Sequence, residues 1–233
     1  MIGLSDNLLA LNASEESLRE QALKIVGGHA GLQLHLNLIE GAMDIADFLR
    51  QFETSDEDLK VVQMLGMRTF NAFGASLKLI FSGYFQNGVL VLRDVLETCF
   101  LLDLFGRDRA LIQRWRTAEP RSRRREFSPV RVREALDVRD GFTSKKRAEI
   151  YELFSELAGH PNMKSVYMMR PQKNGDAVIG PFMEETSLEA VLSEAGRLAV
   201  QVGEVLSAQF PAGHGDAVRL RFRRLKESWI AEF

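Results

Sequence analysis

From Val89 to Phe105 the chain is apolar almost throughout, and a stretch this long and this greasy predicts an element buried on most of its sides. It is interrupted by Arg93, Asp94, Glu97 and Asp103. It also falls short of the ~20 apolar residues that a membrane span needs. The stretch therefore predicts a core helix, closed by Gly106, around which the remaining segments must be arranged.

Those segments read as helices too. Ser14-Glu15-Glu16-Ser17 offers an N-cap with acidic first-turn residues, which leaves 1–13 as a flexible leader. Leu32, Leu36, Ile39, Met43 and Ala46 follow at helical spacing, with a break or close-packing point at Gly27-Gly28. Asp56 to Ile80 forms a second periodic run. Gly83 and Asn87-Gly88 interrupt it. After the core helix, Arg107–Thr117 and the Ser128-Pro129 start predict two short helices. Thr143-Ser144 opens another that ends at Gly159-His160-Pro161. Thr186-Ser187 opens a long helix to Phe210, and Val218, Phe222, Leu225 and Trp229 stripe the last one. Val166-Tyr167-Met168-Met169 and Ala177-Val178-Ile179 flank Asn174-Gly175-Asp176, which predicts a small β-hairpin near residues 165–183. The expected fold is all-α, a helical bundle of about seven or eight helices with one hairpin, in a single domain over 1–233.

Composition narrows the function classes. A net charge of −2 argues against nucleic-acid or membrane-surface binding through bulk electrostatics. The one cysteine, Cys99, excludes a disulfide scaffold, and with no secretory signal visible the expected location is cytoplasmic, away from any membrane. Four histidines and one cysteine are too few for a cysteine-rich zinc site, no repeated Glu-x-x-His is present, and no Walker or GxGxxG pattern occurs. The expectation is no cofactor, no metal and no catalytic set.

Within the core helix, Arg93 and Glu97 stand at i, i+4 and share a face, with Asp94 and Thr98 one step round. Placing such a pair among apolar neighbours costs several kcal/mol unless geometry and extra hydrogen bonds compensate, so it predicts either a structural ion pair or a polar pocket. Tyr151 and Ser155 share a face of a later helix, and His160 lies at its end as a capping residue. Arg93, Glu97, Tyr151, Ser155 and His160 form the candidate polar site.

The order Leu92-Arg93-Asp94-Val95-Leu96-Glu97, Tyr151-Glu152-Leu153-Phe154-Ser155 and His160-Pro161 resembles a bacterial helical family of unknown function with an LR-x-x-x-E, Y-x-x-x-S and closing-histidine pattern. Such proteins are distantly similar to the HEPN group of helical nucleases and toxin components, which carry an arginine and a histidine separated by four to six residues. This chain has Leu153, Phe154 and Ser155 in place of that arginine. That departure fits an inactive relative used for binding or dimerisation, and with a polar motif but no complete catalytic set the expectation is a dimeric, non-catalytic interaction or sensing module, with stress or defence as its setting and a protein partner as an option.

A second feature points elsewhere. Between Arg107 and Arg133 there are ten arginines against three acids, Asp108, Glu119 and Glu126, a local excess of seven. Arginine suits phosphate through its planar fork, and Trp115 offers a stacking surface. Arg121, Arg123, Arg124 and Arg125 are therefore candidate anion or RNA contacts, and the alternative function is an RNase or RNA-binding protein of a toxin or phage-defence system. A charge run between helices is also what a solvated loop looks like.

Overall fold

The computed structural model describes residues 3–171 and 175–233, with the backbone alone at Arg107. Among the described residues there are ten α-helices: α1 (Asp6–Gly28), α2 (Ala30–Arg50), α3 (Glu57–Phe81), α4 (Phe85–Arg107), α5 (Arg109–Thr117), α6 (Pro120–Glu126), α7 (Pro129–Asp140), α8 (Lys146–Phe154), α9 (Glu185–Ser207) and α10 (Asp216–Glu232). A π-helical segment, Ser155–Gly159, continues α8, and a 3₁₀ helix spans Met163–Met169. No helix among these residues is long and apolar enough to cross a membrane.

The core is a ring of four helices in which α2 packs on α3, α3 on α4, α4 on α9 and α9 back on α2. The apolar stretch sits in α4, where Leu92, Val95, Leu96, Leu102 and Phe105 are wholly excluded from solvent. Burying each such side chain contributes about 1.5–3 kcal/mol, which offsets the cost of a polar strip on the same helix. α10 lies outside α2 with its stripe inward, Phe222 buried and Val218, Leu225 and Trp229 partly so. α7, α8 and the π segment cover the outer side of α4. Leu4, Leu8, Leu9 and Leu11 at the start of the chain are exposed.

The all-α expectation holds, but the helix count is higher than seven or eight, for local reasons. Residues 6–13, expected as a flexible leader, are helical. Ser5 caps α1 through its hydroxyl, which accepts from Leu8 N, and Ser14 to Ser17 lie inside the helix. α1 and α2 are separate because His29 takes an extended conformation between them. Gly88 does not interrupt α4. A Cβ there would lie 2.6 Å from Ile80 Cγ1, so the glycine allows α3 and α4 to approach, and Ser76 Oγ donates to its carbonyl. Arg121 to Arg125 belong to α6, started by Pro120 at its first position, and not to a loop.

The hairpin near 165–183 is absent: no strand occurs among the described residues. Asn162 Oδ1 accepts from the amides of Lys164 and Ser165 and so caps the 3₁₀ helix that takes up Val166-Tyr167-Met168-Met169. That local side-chain bond competes with strand pairing and wins. A single backbone bond from Val178 N to Met169 O joins the two predicted arms, and the turn residue Asn174 lies outside the described residues.

Candidate binding site

Arg93 and Glu97 emerge from α4 toward α8, with side chains 20% and 32% exposed, at the rim of the core. Tyr151 of α8 reaches between them. Arg93 Nη2 donates to Tyr151 Oη, Tyr151 Oη donates to Glu97 Oε1 at 3.0 Å, and Arg93 Nη2 lies 3.3 Å from the same carboxylate oxygen. The three predicted residues therefore form one closed triangle.

A fourth member comes from α7. The guanidinium of Arg133 lies 3.9 Å from the centroid of the Tyr151 ring, and that of Arg93 lies 4.8 Å from it. Arg133 is buried, and it forms no ion pair among the described residues. Two guanidiniums thus share one ring, and one of them, Arg93, also pairs with the carboxylate. Cation–π contact offsets part of the desolvation of a buried cation, about 2 kcal/mol in such settings. It leaves Arg93 Nε and Arg133 Nη1 buried and without a hydrogen-bond partner.

Ser155 and His160 do not join. Ser155 Oγ donates back to Tyr151 O at 2.8 Å, a bond within its own helix. From Ser155 the backbone widens into the π segment, where His160 N bonds to Ser155 O. The widening brings Gly159 onto Arg93, where a Cβ would lie 3.1 Å from Nη1, and carries His160 away as an exposed residue in extended conformation. Its carbonyl accepts from Asn162 Nδ2. With hydroxyl and imidazole apart, the arrangement holds no nucleophile–base pair at these positions.

Glu97 faces a second environment. A cavity of about 360 Å³ opens between α3, α4, α5 and α7, with Phe100, Leu101, Trp115, Phe127 and Val132 as apolar walls. Glu97, Thr98 and the Arg68–Asp94 ion pair supply its polar edge. Asp94 and Thr98, one step round from the triangle, are thus turned to the cavity.

Below the triangle the helices are locked by charges that sequence reasoning missed. Arg139 of α7 donates two parallel bonds to Asp103 of α4, at 2.9 and 3.0 Å, and two more to Asp140. Arg147 of α8 bonds Asp137 at 2.6 Å and also Asp140. Hydrogen bonds from Arg139 and then Arg147 hold the Asp140 carboxyl well below its ordinary value of 3.8. The signal in the sequence was a run of alternating charges, which a solvated helix shares. Cys99 is fully buried in α4, and burial pushes its thiol up to about 12, so it is unreactive near neutrality.

The arginine stretch is mostly paired. Arg109 bonds Asp56 and Arg116 lies 3.6 Å from Asp58, both at the acidic start of α3. Arg114 and, at 3.7 Å, Arg125 approach Glu126, and Arg131 pairs with Glu134. Arg123 lies over Trp115 at 5.4 Å. Of the four candidate contacts, Arg121, Arg123 and Arg124 make no ion pair among the described residues.

Comparison with family models, curated proteins and solved structures gives no match for this chain.

Proposed function

We propose that the chain is a non-catalytic helical binding and sensing module, in which a small molecule in the cavity between α3, α4, α5 and α7 is read through Glu97. The observation that carries this reading is the double position of Glu97, which accepts from Tyr151 and also lines the cavity. The walls call for an apolar or aromatic body. The carboxylates of Glu97 and Asp94 at the edge call for a cationic or N–H donor group on it. A ligand donor at Glu97 competes with Arg93 and Tyr151 for the same oxygens, and so alters how firmly α8 is held to α4.

A thermal-shift screen of small aromatic amines tests this. Compounds that raise the melting temperature are expected, with the rise lost in Leu101→Trp, which fills the cavity, and reduced in Glu97→Gln. Stabilisers that act equally on the filled variant, or none from a broad amine set, would sink the reading.

The competing reading is an RNA-binding or RNA-cleaving protein. Its support is the exposed pair Arg121 and Arg124 with Arg123 over Trp115 on one short helix. The pairing of the other arginines leaves it the smaller share of the basic stretch, and its test is argued in the Discussion.

A further inference from the structure

A second cavity, of about 470 Å³, lies between α2 and α9 and shares no lining residue with the first. At its mouth is the one residue that separates α1 from α2. His29 has an extended backbone, φ −122° and ψ 108°, which turns its imidazole from the helix junction toward the start of α9. There His29 Nε2 lies 2.9 Å from Glu185 Oε1. Glu189 follows one turn later on the same face of α9. The donor atoms of His29, Glu185 and Glu189 all lie within 4.8 Å of one another. An ion pair accounts for Glu185, but Glu189 has no partner among the described residues.

An independent observation comes from inside the cavity. His35 is 3% exposed and lines it together with His29 and Glu189. Its Nδ1 accepts from Trp229 Nε1 at 2.7 Å, which places the proton of the neutral ring on Nε2. Phe233 stacks on the ring at 4.4 Å, and Gly196 leaves room for it, since a Cβ there would lie 2.9 Å from Nδ1. Burial and the nearby Arg197 disfavour the charged form. What remains is an N–H donor, on a nearly buried ring in the cavity wall, that makes no hydrogen bond among the described residues and is open to an acceptor in the cavity.

We propose that His29, Glu185 and Glu189 bind one divalent transition-metal ion, with a remaining coordination position open to the cavity that His35 lines. One imidazole nitrogen and two carboxylates form the mixed N/O set that suits Zn²⁺ and its first-row neighbours, whereas Ca²⁺ takes six or more oxygens. The observed spread of the donor atoms exceeds that of a closed tetrahedral site, and rotation of the exposed glutamate side chains is enough to bring them to bonding distance. Water or an acidic ligand on the open position supplies the acceptor for His35. The ion then ties the α1–α2 junction to the first turns of α9.

Titration calorimetry of the metal-stripped, untagged full chain with ZnCl₂ tests the assignment. One ion per chain is expected, with affinity reduced at least about tenfold in His29→Ala and in Glu189→Gln. His160→Ala, which removes an exposed histidine elsewhere, is expected to bind as the unmodified chain does. Both side chains of the tested pair are exposed, so their variants should melt like the unmodified chain in EDTA and lose only the Zn²⁺-dependent rise in melting temperature. Unchanged affinity in His29→Ala and Glu189→Gln, or loss of binding in His160→Ala, overturns the proposal.

Discussion

Tyr151 shows how a single side chain organises this molecule. Its hydroxyl joins Arg93 to Glu97 and its ring carries Arg133, so three helices meet on one residue. Removing only the hydroxyl leaves Arg93 and Glu97 at 3.3 Å and both cation–π contacts in place. Tyr151→Phe removes two hydrogen bonds to charged groups while their pairing with each other persists, and is therefore expected to cost about 1.5 kcal/mol, the low end for such bonds. Arg93→Ala also removes the packing on Gly159 and leaves Glu97 half-buried beside Tyr151, so about 2–3 kcal/mol is expected. Urea melts of the two variants check the order, and equal losses would mean that the hydroxyl holds the triangle together. Spacing revealed Arg93 and Glu97, because i, i+4 in a greasy helix admits few explanations, whereas Tyr151 stood out only by its i, i+4 relation to Ser155 on a later helix. Arg133 was not legible, since nothing in a run of ten arginines marks the one that turns inward. His160 caps the helix end as expected but stays out of the triangle, for a different reason. The π segment inserts an extra residue, about 100° of rotation, and regular spacing from Ser155 no longer describes the face on which the imidazole falls.

Among the elements, α4, α7 and α8 are joined less by apolar surface than by the chain Asp103–Arg139–Asp140–Arg147–Asp137. Both α7 and α8 are polar, with Val132 and Leu136 as the buried apolar residues of one and Phe154 of the other. Arg139→Met retains the stem but leaves Asp103 and Asp140 close together without their shared donor, and a loss of about 2–4 kcal/mol is expected. The sign of the pH effect follows from Asp140. Its carboxyl titrates lower in the folded chain than its ordinary 3.8, so its contribution is complete above that value and disappears as pH falls through the folded one. Melting temperatures measured from about pH 6 down to about pH 2.5 should fall less steeply in Asp140→Asn than in the unmodified chain. Parallel curves would show that other carboxylates dominate acid unfolding. The elements themselves were mostly legible, because helix periodicity and the Ser128-Pro129 start are strong local signals. The failures were at boundaries set by single polar side chains: Ser5 extended α1 forward, and Asn162 turned a predicted strand into a 3₁₀ turn.

At the scale of the whole molecule the question is what the arginine excess is for. Counted along the sequence, seven unmatched positive charges suggest a surface for phosphate. Folded, the acidic start of α3 comes to meet α5, and Arg109 and Arg116 find Asp56 and Asp58 about fifty residues away in sequence. Arg114, Arg125 and Arg131 are matched locally, and Arg133 is buried on Tyr151. Arg121, Arg123 and Arg124 remain as exposed or half-exposed cations on α6, with Arg223 and Arg224 of α10 likewise without an ion pair among the described residues. Affinity for single-stranded RNA depends on salt with a slope of about −0.7 for each phosphate neutralised. Three cations on α6 therefore allow a slope no steeper than about −2. Fluorescence anisotropy with a labelled oligonucleotide from about 50 to about 200 mM salt should give weak binding within that limit, and no cleavage of total RNA over the same incubation. A slope well beyond it would require cations from outside α6, either Arg223 and Arg224 of α10 or arginines delivered to the RNA by opening of the α3–α5 ion pairs. In the second case Asp56→Asn, which frees Arg109 in advance, would tighten binding. The structure predicts instead that Asp56→Asn lowers the melting temperature only slightly and leaves RNA affinity as weak as before, because asparagine keeps the cap on α3 and only the exposed pair with Arg109 is lost.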